Sequence, residues 1–197
     1  MALISNQFNQ VFMIVQNFDF DNNLAIARQR AEQMVNNGLY SRFGLSFNAR
    51  VDKALLGCMG ELAFEHWLRS LGYEYQVDRD GFDERNSDEF DFLIEDSKID
   101  TKVAKKSTAN PPNDNWTYGY PQEQNPASKD FIVVGWVDYT RKEVGFYGWI
   151  TGLVVSRLPV VTRNTFAGYA YLTPNHEFRW GAMNKNFELL FQRIFNR

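Results

Sequence analysis

The sequence predicts one domain that combines α-helices with β-strands, and three observations lead there. At 197 residues the chain is the size of one ordinary domain, long enough to bury a real core. Its 44% hydrophobic and 23% charged residues are the proportions of a soluble globular protein. Helix-period and strand-period apolar patterns both occur along it, with no internal repeat and no obvious linker between them.

Taken in order, Asn22 or Asn23 can cap a first helix through Ala25, Ile26, Ala31, Met34 and Val35, stopped by Asn36-Asn37-Gly38. Residues 39–48 form a turn-rich link. A longer helix runs from about Ala49 to Leu71, with Leu55, Met59, Leu62, Trp67 and Leu71 as apolar contacts and Gly72 as its stop. Phe90–Ile94 and Lys98–Ala104 alternate with period two around the polar pair Asp96-Ser97, so they read as a hairpin. Residues 107–128, rich in Pro, Asn, Gln and Ser, read as a long loop, and a loop of that length in a domain is usually functional or disordered. Two β-rich runs follow, Phe131–Val137 and Val144–Thr151, then a shorter one at Gly168–Leu172. Phe187, Leu190, Phe191 and Ile194 fall at i, i+3, i+4 and i+7 and mark a final amphipathic helix.

No apolar run approaches the roughly 18 residues of a spanning helix. The N-terminal stretch has no basic residue ahead of its apolar patch, unlike a secretory signal. Cys58 is the only cysteine, which excludes an internal disulfide framework and a thiolate zinc cluster. A cytoplasmic, reducing location without membrane association is therefore expected. The formal charge of −3 argues at first sight against a nucleic-acid partner, but it hides an asymmetry. Residues 78–100 carry −7, and residues 101–197 carry +5. A cation held by some of those carboxylates would reverse the local sign. The run from Asp78 to Glu89 is not an EF-hand loop, because Gly81 is its fourth residue rather than its sixth.

The hairpin carries the chemistry. An acid-x-Lys triplet is weak by itself, since chance supplies roughly one in a chain of this composition, and Asp96-Ser-Lys98 is a second. Geometry separates the two. Asp100 and Lys102 share one face of their strand, while Ile99, Thr101 and Val103 share the other. Pairing that apolar face with Phe92 and Ile94 requires an odd register, such as 92 with 101 and 94 with 99 across an Asp96-Ser97 turn. That register sets Asp91 opposite Lys102, with Asp100 diagonal to it. Hard oxygen ligands suit Mg²⁺, which polarises a phosphate and lowers the pKa of a bound water, and a nearby lysine can orient that water or stabilise negative charge. The plain alternative is an exposed cross-strand ion pair, worth under about 1 kcal/mol. Glu61 adds weight to the first reading. It lies on a helical stripe with Gly57, Gly60 and Phe64, and glycines inside a helix cost about 1 kcal/mol each unless they permit a close approach. Glu65 has Arg69 four residues on as a partner, whereas Glu61 has only the like-charged Glu65 there.

These residues resemble the PD-(D/E)xK nuclease superfamily over about residues 50–150, through GELAFEHWLRSLG, FDFLI, KIDTKVAKK and DFIVVGWV. Phe90 stands where the eponymous proline would. The resemblance implies a restriction endonuclease-like α/β fold, with a mixed central sheet flanked by helices. It divides the chain into an N-terminal helical extension (1–48), a catalytic core (49–151) and a C-terminal strand and helix (152–197). It implies Mg²⁺-dependent endonucleolytic hydrolysis of DNA, with Mn²⁺ able to substitute. Glu61, Asp91, Asp100 and the backbone carbonyl of Thr101 would be metal ligands, and Lys102 the water-orienting or charge-stabilising residue. The expected partner is duplex DNA, with a second copy or a partner subunit for double-strand cleavage. The rival reading is a nuclease-fold binding or assembly protein with residual acids.

Further candidates for nucleic-acid contact are Lys105 and Lys106 after the motif, and Trp116, Tyr118 and Tyr120 in the long loop. His66 and His176 are isolated and read as structural. Cys58 reads as a small buried helix residue.

Overall fold

The structure, a computed structural model, describes residues 12–78 and 90–196. The acidic run from 79 to 89 lies outside the described residues. After a short strand β1 (Met13–Ile14), Asp19 caps α1 (Phe20–Asn36) by accepting from the Asn22 N–H. The helix thus starts a few residues before the expected Asn22 or Asn23, because the aspartate is a capable cap and Phe20 behind it is buried. Ser46 caps α2 (Phe47–Leu71), which ends at Gly72 with φ 74°, a left-handed stop that only glycine adopts freely.

Next come β2 (Gln76–Val77), β3 (Phe92–Ile94) and β4 (Ser97–Lys105). The tight turn between β3 and β4 is Glu95-Asp96, with Glu95 at φ 50°, not Asp96-Ser97. Phe92 therefore faces Ile99 and Ile94 faces Ser97, a register two residues from the expected one. The shift keeps the parity, so every side chain stays on its expected face. It also sets the large apolar Phe92 against Ile99 rather than against Thr101.

The expected loop at 107–128 contains β5 (Thr117–Pro121), followed by two single 3-10 turns. Then follow β6 (Phe131–Asp138), β7 (Glu143–Thr151), the short α3 (Gly152–Ser156), β8 (Val160–Arg163), β9 (Ala170–Arg179) and α4 (Phe187–Phe195). β4 and β6 pair in parallel, from Ile99 with Phe131 to Lys105 with Val137. A parallel pair needs a crossover of a dozen residues or more, and residues 106–130 are that crossover.

The strands form a six-stranded mixed sheet, β1-β7-β6-β4-β3-β2, and a three-stranded sheet, β5-β9-β8. One face of the large sheet packs on α1, α2 and α4, with Phe64, Phe92, Ile99, Val133, Phe146 and Leu190 in the core. The other face is covered by the small sheet and α3, through Tyr120, Ile132, Trp136, Tyr147, Phe178 and Trp180. The expected sheet flanked by helices is thus realised on one face and replaced by β-structure on the other. β6 is buried at all eight positions because it is covered on both faces. Among the described residues, no helix is long and apolar enough to cross a membrane.

Candidate active site

β3 pairs with β4 only along Ser97–Ile99, so among the described residues β4 has one edge without a neighbouring strand from Asp100 onward. A cavity of about 430 Å³ runs along this edge. It is bordered by α2 on one face of the sheet and by β5 on the other. This is why side chains from opposite faces share it. Glu61, Asp91, Asp100, Thr101 and Lys102 all line it.

The open edge is occupied in part by Asp91. Its Oδ2 accepts from the Thr101 N–H at 2.6 Å and from the Thr101 hydroxyl at 2.7 Å, replacing a strand neighbour. The N–H and carbonyl of a strand residue point to the same edge, so the Thr101 carbonyl is directed to the cavity side as well. The Lys102 Nζ lies 2.7 Å from Asp100 Oδ1 and 5.5 Å from the Tyr120 ring centre. Asp91 thus neighbours Asp100 rather than standing opposite Lys102, which follows from the two-residue register shift.

Burial, and then the Asp100 charge beside it, raises the Asp91 pKa to about 6, against the lowering by Lys102 and by the two Thr101 hydrogen bonds. Burial would depress Lys102, but Asp100 and Asp91 outweigh it and hold the amine well above its ordinary pKa. Burial, reinforced by Asp100, raises the Tyr120 hydroxyl far above the tyrosine range. Asp100 and Tyr120 are both buried, and the Tyr120 hydroxyl is placed to donate to the Asp100 carboxylate.

The glycines of α2 have separate uses. A Cβ on Gly60 would meet the Val103 methyls at 2.8 Å, so this glycine brings α2 against β4, as expected from its spacing. A Cβ on Gly57 would meet nothing within 4 Å, and this glycine keeps the cavity wall open. Glu65 accepts from Arg69 at 2.6 Å and from Tyr75 at 3.0 Å. Glu61 lines the cavity.

As a donor set, Asp91, Asp100, Glu61 and the Thr101 carbonyl are hard oxygens of the kind Mg²⁺ takes. Among the described residues, however, no three His, Cys, Asp or Glu side chains stand close enough together to hold a metal ion. Ligation by all three acids requires side-chain rotation into the cavity.

The other candidates are placed differently. Lys106 is buried, bonded to Asp138 at 2.7 Å and to the Thr108 carbonyl at 2.9 Å, and does not present its amine to a phosphate. Lys105 is exposed beside the Tyr139 ring. Trp116 packs edge-on against Trp180 at 5.0 Å. Tyr120 is fully buried under the cavity and Tyr118 lines it, so these rings are walls of the site and not members of a loose loop. His66 bonds the Gln16 carbonyl and His176 the Leu158 carbonyl, in keeping with structural roles. Cys58 is buried in the helix-side core.

Sequence reasoning missed Lys53, Arg42 and Tyr40, which also line the cavity. Lys53 was within reach, because it extends the Gly57–Glu61 stripe back by one helical turn. Arg42 and Tyr40 sit in the short link between helices, where no periodicity marks a face. Comparison of the chain with protein-family models, with curated proteins and with solved structures returns no match.

Proposed function

We propose that this protein is a Mg²⁺-dependent DNA endonuclease of the restriction endonuclease-like kind, with Mn²⁺ able to replace Mg²⁺. The observation that carries this reading is the convergence of Glu61, Asp91, Asp100 and Lys102, drawn from α2, the approach to β3, and β4, on one cavity. Asp100, Asp91 and Glu61 would hold the cation together with the Thr101 carbonyl. When bound, it supplies Lewis-acid polarisation of the phosphate and charge neutralisation. Lys102, held protonated by its two acidic neighbours, acts as a hydrogen-bond donor and charge stabiliser at the phosphate rather than as a base. Asp100 positions that amine through its Oδ1. Thr101 holds Asp91 Oδ2 with two donors, which leaves Oδ1 as the oxygen Asp91 would offer a cation.

The substrate in this reading is DNA. One such site cuts one strand, so double-strand cleavage needs a second copy or a partner subunit. The test is nicking of supercoiled plasmid by the purified chain. Wild type cuts with Mg²⁺ or Mn²⁺ and not in EDTA, while Asp100→Ala and Lys102→Ala fall by about 10²–10³-fold, the usual loss when a charge-stabilising group is removed. No cleavage with either metal, or equal cleavage by both variants, defeats the proposal. The spacing of the acids favours a second reading, a DNA-binding or assembly protein built on the same fold. It predicts DNA binding without cleavage, unchanged in both variants.

A further inference from the structure

Phe166 and Tyr169 are the two most exposed large apolar side chains among the described residues, at 68% and 55%. They sit on the loop joining β8 to β9, and this loop is tightly built. Asn164 is buried at its base, and its amide donates to the Thr117 hydroxyl at 2.9 Å and to the Tyr171 hydroxyl at 2.8 Å. Its side-chain oxygen accepts from the Phe166 and Ala167 N–H groups, at 3.1 and 2.6 Å. The Asn164 N–H donates to the Tyr169 carbonyl and the Gly168 N–H to the Asn164 carbonyl, both at 2.9 Å. Glu177 accepts from the Thr165 N–H and hydroxyl, and the Arg163 guanidinium donates to the Gly168 carbonyl. Two large rings are therefore displayed to solvent on a fixed frame, where little ordering remains to be done on binding.

The loop is continuous with the cavity. β9 pairs with β5, and the Tyr171 ring lies against Gly119, a cavity-lining residue, within 2.7 Å of where a Cβ would stand. Tyr169 meets Tyr171 edge-on, with ring centres 5.4 Å apart. An aromatic path thus leads from the loop tip to a cavity that also holds the cationic side chains of Arg42, paired with Glu123, of Lys102, paired with Asp100, and of Lys53. Aromatic faces beside cations match a ligand made of π-faces on an anionic backbone. Duplex bases already stack on one another, so only unpaired bases have faces free for these rings. The cavity volume falls in the range of small-ligand pockets, the scale of a nucleotide rather than of a duplex.

We propose that the β8–β9 loop is a stacking platform on which Phe166 and Tyr169 receive unpaired bases of a DNA strand whose backbone enters the cavity. This rests on the nuclease reading and adds to it a preference for DNA with a single-stranded segment next to the bond that is cut.

The test is fluorescence-anisotropy binding of labelled oligonucleotides of one sequence, as single strand, blunt duplex and duplex with a single-stranded extension, in Ca²⁺. The double variant Phe166→Ala/Tyr169→Ala, whose side chains are exposed and whose melting curve checks the fold, weakens binding of the single strand and the extended duplex by about 5- to 150-fold. Blunt-duplex binding stays within about twofold, and Tyr169→Phe, which keeps the ring, binds like wild type. Equal binding of single strand by the double variant and wild type overturns the platform, and so does an equal loss on blunt duplex. Concentration-dependent dimerisation that the double variant abolishes also overturns it, by assigning the rings to a contact between copies. A wild type that binds unpaired DNA through these rings yet leaves it intact with Mg²⁺ supports the platform and separately defeats the nuclease reading.

Discussion

Gly57 and Gly60 sit one turn apart on α2 and respond oppositely to the same added methyl. At Gly60 the methyl strikes Val103 on β4, so Gly60→Ala should destabilise the fold by about 1–3 kcal/mol, the usual effect of overpacking a core. At Gly57 there is open space, so Gly57→Ala should stabilise it by about 0.5–1 kcal/mol through helix propensity. Urea-denaturation midpoints of the two variants measure both effects. Equal shifts would mean that the α2–β4 approach is not what this glycine serves. The residue types of the candidate site were legible from the chain, because hard acids and a lysine on a two-residue alternation declare their chemistry. Their pairing was not. A turn one residue earlier than the polar Asp96-Ser97 pair suggested moved Asp91 from Lys102 to the neighbourhood of Asp100.

At the level of elements, β4 and β6 are tied at their C-terminal ends by a buried ion pair. The Lys106 ammonium and the Asp138 carboxylate are only 4% and 5% exposed and lie 2.7 Å apart. Asp138 also accepts from the N–H groups of Thr140 and Arg141, which fixes the β6–β7 turn. Asp138→Asn leaves the Lys106 amine buried opposite a neutral group and should cost about 3–5 kcal/mol, measured by thermal or urea unfolding. Burial raises the Asp138 pKa, but its bonds to Lys106, Arg141 and Thr140 outweigh that and leave it lowered. A carboxylate with a lowered folded-state pKa contributes stability that is present above the unfolded value of about 4, and that is lost as pH falls through the folded value. Wild type should therefore lose stability below about pH 4 more steeply than Asp138→Asn, and parallel acid profiles would refute this role. The crossover between these strands was the least legible element. Its prolines and amides resemble a loop, and Thr117–Pro121 becomes a strand only because Ala170–Arg179 is there to pair with it.

For the whole molecule, the arrangement is three layers: helices, a mixed six-stranded sheet and a smaller three-stranded sheet. The helices and the central strands were legible, because their periods of 3.6 and two are written locally in apolar residues. The third layer depends on long-range pairing of β5, β8 and β9, which no local period encodes. The site draws on all three layers, since among the described residues β4 loses its strand neighbour at Asp100 and the cavity opens toward both α2 and β5. Of the described acids among residues 78–100, Asp91 and Asp100 line the cavity.

The central claim is that the cavity carboxylates hold a divalent cation, and calorimetric titration of Mn²⁺ into wild type and Asp100→Asn tests it most directly. The substitution leaves the other acids of residues 78–96 untouched, so it separates the cavity from the acidic run beside it in sequence. Mn²⁺ should bind wild type saturably, and Asp100→Asn should lose that binding or weaken it at least about tenfold, a difference of about 1.4 kcal/mol. Identical isotherms for the two proteins, or no heat of binding to wild type, would contradict it.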